Sequence, residues 1–344
     1  MRAVPLLHIP AKVTVGGFRA AGIFASLNGP NADSDEGEMQ TEILLEPGSL
    51  AEAVDERTRQ ARANGDLLPI ETEQEHITDA GVRFLVRVTA SLRRKEGDKR
   101  RPAGGEQGRP ASPFLPPEPE LTVAEVSTGH LAVLNKFNVL DRHLLIVTRA
   151  FEPQETLLTL EDLRALFACI AEYPSLGFYN GGTVAGASQP HKHLQVVPLP
   201  LDADGPAIPM EPLLAIAARG SVGRCPNLPF AHAFARLDRP VAAAPLEAAG
   251  QAAALYLNLL AAVGIEVVES DGERRPSAAY NLLVAHDWML MVPRGKEFFR
   301  GISVNALGFA GSLFVKDRQQ LEVVRTAGPM YILQAVAGSG RQGI

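Results

Sequence analysis

Apolar and polar residues alternate most regularly over residues 82–88. Val82, Phe84, Val86 and Val88 share one face, with Arg83 and Arg87 on the other, and this period of two predicts a half-buried strand. Apolar runs at 130–135 and 143–148, joined by a polar link with Asn138 and Asp141, predict a hairpin or neighbouring strands. Thr159 opens a helix whose Leu163, Leu166, Phe167 and Ile170 recur at i, i+3, i+4 and i+7, a stripe that must lie on a sheet. A short strand at 176–180, a glycine-rich loop at 181–190 and a second strand at 191–198 follow. Upstream, Ser49 and Glu52 have the spacing of a capping box, for a helix running to about residue 64 with Gly65 as its stop.

Downstream, the pattern predicts a short helical run near 213–218, a strand within 230–237 and an alanine- and leucine-rich helix over 246–263. Two apolar runs, 279–285 and 288–292, flank His286 and Asp287 as a second hairpin, and helices close the chain over 317–326 and from Pro329. The order of elements fits an α+β fold, a mainly antiparallel sheet with flanking helices. Residues 93–119, dense in charge, glycine and proline, read as a long flexible loop. Its cluster of Arg93, Arg94, Lys95, Lys99, Arg100 and Arg101 fits either a solvated loop or a phosphate-binding lid.

Composition narrows the classes of function. With 46% hydrophobic and 21% charged residues, the 344-residue chain is ordinary for a globular protein. A net charge of −6 argues against a general nucleic-acid binder, and no apolar run reaches the length of a membrane span. Cys169 and Cys225 lack metal-ligand spacing, and Cys169 falls on the apolar side of its helix. Residues 1–40 stand apart: no acidic residue precedes Asp33, while Arg2, Lys12 and Arg19 are basic. Such a stretch reads as a disordered extension, a transit peptide or a start misassigned upstream of Met39. Residues 41–200 are expected to form a catalytic half and 201–344 a half completing the fold, with the cytoplasm as default location.

The candidate chemistry lies in GASQPHKHLQ. Strand alternation puts His191, His193 and Gln195 on one face. The glycines at 181, 182 and 186 can bring backbone amides close to an anion. A neutral histidine, with a free pKa of about 6.5, is a good nucleophile toward phosphorus and splits one displacement into two easier steps. Gln195, Ser188, Gln189 and the loop amides are candidate donors to the non-bridging oxygens. On residue types alone, nucleotidyl transfer, a zinc hydrolase using the two same-face imidazoles and a non-catalytic site all stay open.

That segment, together with VLNKFNVLDRHLLIVTR, PFLPPEPEL, YNLLVAHDWMLMVPR and GISVNALGFAG, resembles the diadenosine tetraphosphate phosphorylases, or ATP adenylyltransferases. They are a branch of the histidine-triad superfamily, and the likeness runs from about residue 46 to the C-terminus. The resemblance implies a histidine-triad-like fold with His193 as nucleophile, His191 orienting it and Gln195 donating to a phosphate oxygen. An adenylyl group would pass from the dinucleotide to His193 and then to inorganic phosphate, interconverting the dinucleotide with ATP and ADP. It further implies nucleotide or polyphosphate contacts from Asn135, Lys136, Asn180, Gly186, Ala187, Ser188, Gln189 and Asn281. Lys95, Arg294 and Lys316 are further cationic candidates, and a divalent cation, most simply Mg2+, is expected on the polyphosphate. The alternatives are a superfamily relative acting on a nucleotide sugar or adenosine phosphosulfate, and a dinucleotide-binding sensor.

Overall fold

A computed structural model describes residues 42–89, 112–214, 221–238, 240–270 and 272–339. The basic cluster, Lys95 included, residues 1–40 and most of the run at 213–218 lie outside the described residues.

A nine-stranded sheet forms the centre, with spatial order β3-β4-β5-β7-β6-β12-β13-β9-β8. Its strands are β3 (Thr122–Ser127), β4 (His130–Leu134), β5 (Leu144–Thr148), β6 (Ser175–Gly181), β7 (His193–Pro198), β8 (Val222–Gly223), β9 (Ala233–Arg236), β12 (Tyr280–Val284) and β13 (Trp288–Pro293). All its pairings are antiparallel, as the sequence predicts, and strands from both sides of residue 200 meet where β6 pairs with β12. A smaller sheet has order β1-β2-β16, from β1 (Thr72–Asp79), β2 (Val82–Thr89) and β16 (Ser312–Val315), the last parallel to β2. Two short ribbons, β10 (Val267–Ser270) with β11 (Glu273–Pro276) and β14 (Phe298–Phe299) with β15 (Ile302–Ser303), complete the strands described.

Each face of the large sheet has its own core. Leu194, Val196, Leu282, Val284, Met289 and Met291 meet the helices Leu50–Asn64, Leu160–Ile170 and Pro245–Ala262. Leu176, Phe178, Val197, Leu283, Leu290 and Val292 meet the small sheet and the helices Arg318–Ala327 and Pro329–Val336. Strand alternation puts His193 and Gln195 on the face of Val197, and Asn180 and Asn281 on the faces of Phe178 and Leu283. All four therefore look out on the same side of the sheet.

Three expectations need correction. Thr159 and Asp162 form a reciprocal capping box, but Ser49 does not. The Ser49 hydroxyl donates to the Glu46 carbonyl (2.6 Å), and the Glu172 carboxylate, brought in from after the 160–170 helix, accepts from Gly48 N (2.9 Å) and Leu50 N (3.0 Å). A carboxylate suits a helix N-terminus better than a hydroxyl, because it opposes the dipole as well as accepting. Secondly, β2 is buried along both faces rather than half-buried. Its inner arginine, Arg87, donates to Ser312 Oγ (2.5 Å) and the Leu201 carbonyl (2.8 Å), while Arg83 reaches Asp202. Thirdly, the β7 ladder begins at His193, and His191 makes an isolated bridge with Pro153.

Candidate active site

His193 is buried, and its ring is fixed by a local bond. Nδ1 lies 2.8 Å from the His191 carbonyl, which can only accept, so Nδ1 carries the proton and Nε2 holds the lone pair. Burial lowers its pKa to about 4, with the bond to the His191 carbonyl opposing that fall only in part, so the ring is neutral at pH 7. Among the described residues no donor reaches Nε2. The ring borders a cavity of about 140 Å3 whose wall includes Phe114, Asn135, Lys136, Ser188, Gln189 and Gln195.

The backbone of His193 is held by Gln154, which is fully buried. The β6–β7 ladder ends at the Phe178–Gln195 pair, while β6 goes on pairing with β12 along its other edge as far as Gly181. Into that gap Gln154 inserts its amide. Oε1 accepts from His193 N (2.9 Å), and Nε2 donates to the carbonyls of Asn180 (3.0 Å) and His193 (3.3 Å). The side chain thus replaces the strand that is missing there.

His191 is oriented just as tightly. Its Nε2 donates to the Thr148 carbonyl (2.9 Å) and lies 2.9 Å from Thr148 Oγ1. Nδ1 therefore accepts, from the Ser112 hydroxyl at 2.6 Å. Burial lowers its pKa as well. Phe114 packs against both imidazoles, with ring centroids 5.6 Å from His191 and 5.7 Å from His193.

Lys192, between the two histidines, points to the opposite side of the sheet and is only 1% exposed. Its three N–H groups go to Glu152 (2.6 Å), Asp162 (3.1 Å) and the Leu157 carbonyl (3.1 Å). Burial would lower its pKa, but Asp162 and Glu152 more than offset this and raise it. Asp162 also accepts from His130 Nε2 (3.0 Å) and caps its helix through the Thr159 amide (2.8 Å). Burial pushes the Asp162 carboxyl up, and His130 and Lys192 together hold it down at about 2.

The remaining predicted residues divide. Asn135, Lys136, Ser188, Gln189, His193 and Gln195 share the cavity wall, where the Lys136 ammonium is held 2.7 Å from Glu118. Asn180, Asn281 and Arg294 instead form a buried network behind the glycine-rich loop. Asn281 Nδ2 donates to Asn180 Oδ1 (2.8 Å) and the Ala185 carbonyl (2.9 Å), and Arg294 donates to Asn281 Oδ1 and the carbonyls of Val304 and Lys296. With its guanidinium so occupied, Arg294 is a support of the loop rather than a surface cation. Desolvation lowers its pKa to about 10, still protonated at pH 7.

The amides of Gly182, Gly186 and Ala187 bond to carbonyls within residues 180–183, so these loop N–H groups do not face an anion. The glycines serve close approach instead: at Gly186 (φ +88°) a Cβ would lie 3.1 Å from the backbone of both Val304 and Asn305. Lys316 is exposed just after β16 in the small sheet, its amide donating to Gln320, and does not line the cavity. Ser112, Phe114, His143, Thr148 and Gln154 were not predicted. Phe114, His143 and Thr148 lie in segments that carry the family resemblance, though none stood out as a site residue, and Ser112 and Gln154 carried no signal.

Comparison with known proteins gives the chain a family. Residues 40–216 match the Ap4A phosphorylase N-terminal domain, and residues 226–339 the ATP adenylyltransferase C-terminal domain. Diadenosine 5',5'''-P1,P4-tetraphosphate phosphorylase 2 of Saccharomyces cerevisiae is 27% identical over 306 residues, covering 80% of this chain and 89% of that protein. Protein APA1 of the same yeast is 26% identical over 300 residues, 79% of this chain and 88% of that protein. The crystal structure of yeast Ap4A phosphorylase Apa2 superposes with a TM-score of 0.70 at 23% identity, over 88% of this chain and 98% of that one. The same enzyme in complex with Ap4A gives 0.68 at 23% identity, over 86% and 98%. A buried, neutral histidine after a glycine-rich loop, in a chain matched by both domain models, makes this protein a member of the Ap4A phosphorylase, or ATP adenylyltransferase, family.

Proposed function

We propose that this protein catalyses the reversible phosphorolysis of diadenosine tetraphosphate, converting the dinucleotide and phosphate to ATP and ADP. The observation that supports it most directly is the bare Nε2 of His193, held beside the Gln195 amide in the cavity. In the first step Nε2 attacks the α-phosphorus, a P–N bond forms, and the P–O bond to the departing ATP breaks. In the second, an oxygen of inorganic phosphate attacks the same phosphorus, the P–N bond breaks, and ADP leaves with His193 neutral again. In this reading Gln195 and Ser188 donate to the non-bridging oxygens, and Lys136 exchanges Glu118 for a phosphate; that all three line the cavity with His193 supports it. His191 orients the nucleophile through its carbonyl.

Among the described residues no three His, Cys, Asp or Glu side chains converge on one point, so Mg2+ is assigned to the polyphosphate as part of the substrate. No described helix is long and apolar enough to cross a membrane. The substrates being intracellular nucleotides, the proposal places the reaction in the cytoplasm.

The test is incubation with diadenosine tetraphosphate and Mg2+, with and without phosphate, followed by nucleotide separation. Equal amounts of ATP and ADP, appearing only with phosphate, are expected. AMP with ATP in its absence would make the protein a hydrolase, and binding without product would make it a sensor.

A further inference from the structure

Which end of the Gln195 amide faces the cavity can be worked out from a backbone group. Phe137 N–H can only donate, and it points at one end of the Asn135 side chain (3.3 Å), which is therefore the oxygen. The other end, Asn135 Nδ2, then lies 3.2 Å from His143 Nδ1 and donates to it. His143 must carry its proton on Nε2, which lies 2.9 Å from one end of the Gln195 amide. That end is Oε1. Gln195 is thereby committed to presenting its N–H2 group elsewhere, and among the described residues neither proton has an acceptor.

The ring of His143 is itself set firmly. It is 9% exposed, packs against Phe178 at a centroid distance of 5.9 Å, and its carbonyl accepts from Asn135 N (2.9 Å). Asn135, His143 and Gln195 thus form one directional relay with no freedom to reverse.

We propose that His143 is a positioning residue for the phosphoryl transfer proposed above. It holds the Gln195 amide so that two donors, and never the carbonyl oxygen, meet the reacting phosphate. Without it, turning N–H2 to the phosphate would leave a buried Oε1 unpaired, and pairing Oε1 elsewhere would turn a lone pair toward the phosphate. The relay begins at a main-chain amide, so binding of the substrate does not have to order it. The inference rests on the proposed reaction only for its kinetic consequence.

Two measurements test it. In the uniformly 15N-labelled wild-type protein, long-range 1H–15N correlation at the histidine rings should find His143 with the proton on Nε2 and Nδ1 bare. The opposite tautomer overturns the proposal whatever the enzyme does. In turnover of diadenosine tetraphosphate, H143L should lower kcat by roughly 10- to 100-fold with KM changed little, and Q195L by about 100-fold or more. The double variant should be no slower than Q195L, because His143 acts only through that amide. H143Q, which keeps an N–H donor toward Gln195, should recover most of kcat. Losses that multiply in the double variant, or an H143Q as slow as H143L, would mean His143 matters for packing alone, and the proposal fails. A wild-type protein inert toward the dinucleotide would defeat the proposed reaction, while the tautomer would still decide the relay.

Discussion

Lys192→Met removes the only ammonium in the buried charge cluster behind the motif, with little change in volume. Lys192 is 1% exposed and Asp162 also 1%, so the variant leaves a carboxylate away from water with His130 and the Thr159 cap as its remaining partners. Removing one member of a buried pair typically costs about 3–5 kcal/mol. The Asp162 pKa points the same way: burial raises it, and His130 and Lys192 together bring it to about 2, below the unfolded value near 3.9. The carboxylate therefore stabilises the fold by about 2–3 kcal/mol above pH 4, lost as pH falls through about 2, and Lys192 supplies part of that. Glu152 is 43% exposed, so water screens its pair with Lys192 and it adds less than Asp162. A loss of about 3 kcal/mol at pH 7.5 is therefore expected, measured by urea denaturation followed by circular dichroism. The deficit should shrink toward pH 4, because Asp162 in the variant can take up a proton and the wild-type carboxylate cannot. A loss below about 1 kcal/mol, or one that does not vary between pH 7.5 and 4, would refute the idea that Lys192 compensates a buried Asp162.

Gln154→Leu leaves the buried N–H and carbonyl of His193 without their partner; about 3 kcal/mol of stability should go, with kcat falling more than KM rises, readable by thermal melting and steady-state kinetics. Gly186→Ala places a Cβ on a residue at φ +88° and 3.1 Å from the Val304 carbonyl, so roughly 2 kcal/mol of strain should displace the loop carrying Ser188 and Gln189 and raise the KM for the dinucleotide. His193 sets a pH dependence. Its native pKa of about 4 lies below the free value near 6.5, so between these limits the unfolded chain binds the extra proton and stability falls as the pH falls. From pH 7.5 to 5 the wild type should lose about 2 kcal/mol more than His193→Phe, as denaturation midpoints at both pH values would reveal.

Much of the large sheet was legible because its strands are contiguous apolar runs bounded by turns, and the 191–195 row was legible because alternation is a local property. In the small sheet β2 was legible from its alternation, but β1 was not. Thr72–Asp79 contains a single strongly apolar residue, Ile77, and it becomes a strand by pairing with β2 and by ion pairs from Arg318 and Arg325 to Glu73 and Glu75. Those partners lie more than 240 residues away, beyond any local pattern. The same limit explains the site. The resemblance implies a substrate contact for Asn281 and a cationic role for Arg294, but between them they donate to the carbonyls of residues 185, 304 and 336, which only the fold brings to them. Gln154 has no sequence signal at all, since a glutamine that completes a ladder looks like any other in a loop.

The central claim is that His193 Nε2 becomes adenylylated. The most direct measurement is intact-protein mass spectrometry after brief exposure to diadenosine tetraphosphate and Mg2+ without phosphate, followed by peptide mapping at neutral pH. One added adenylyl group, located on His193, absent from His193→Ala and released as ADP when phosphate is added, is the predicted result. Turnover by the wild type with no covalent adduct, or full turnover by His193→Ala, would contradict it.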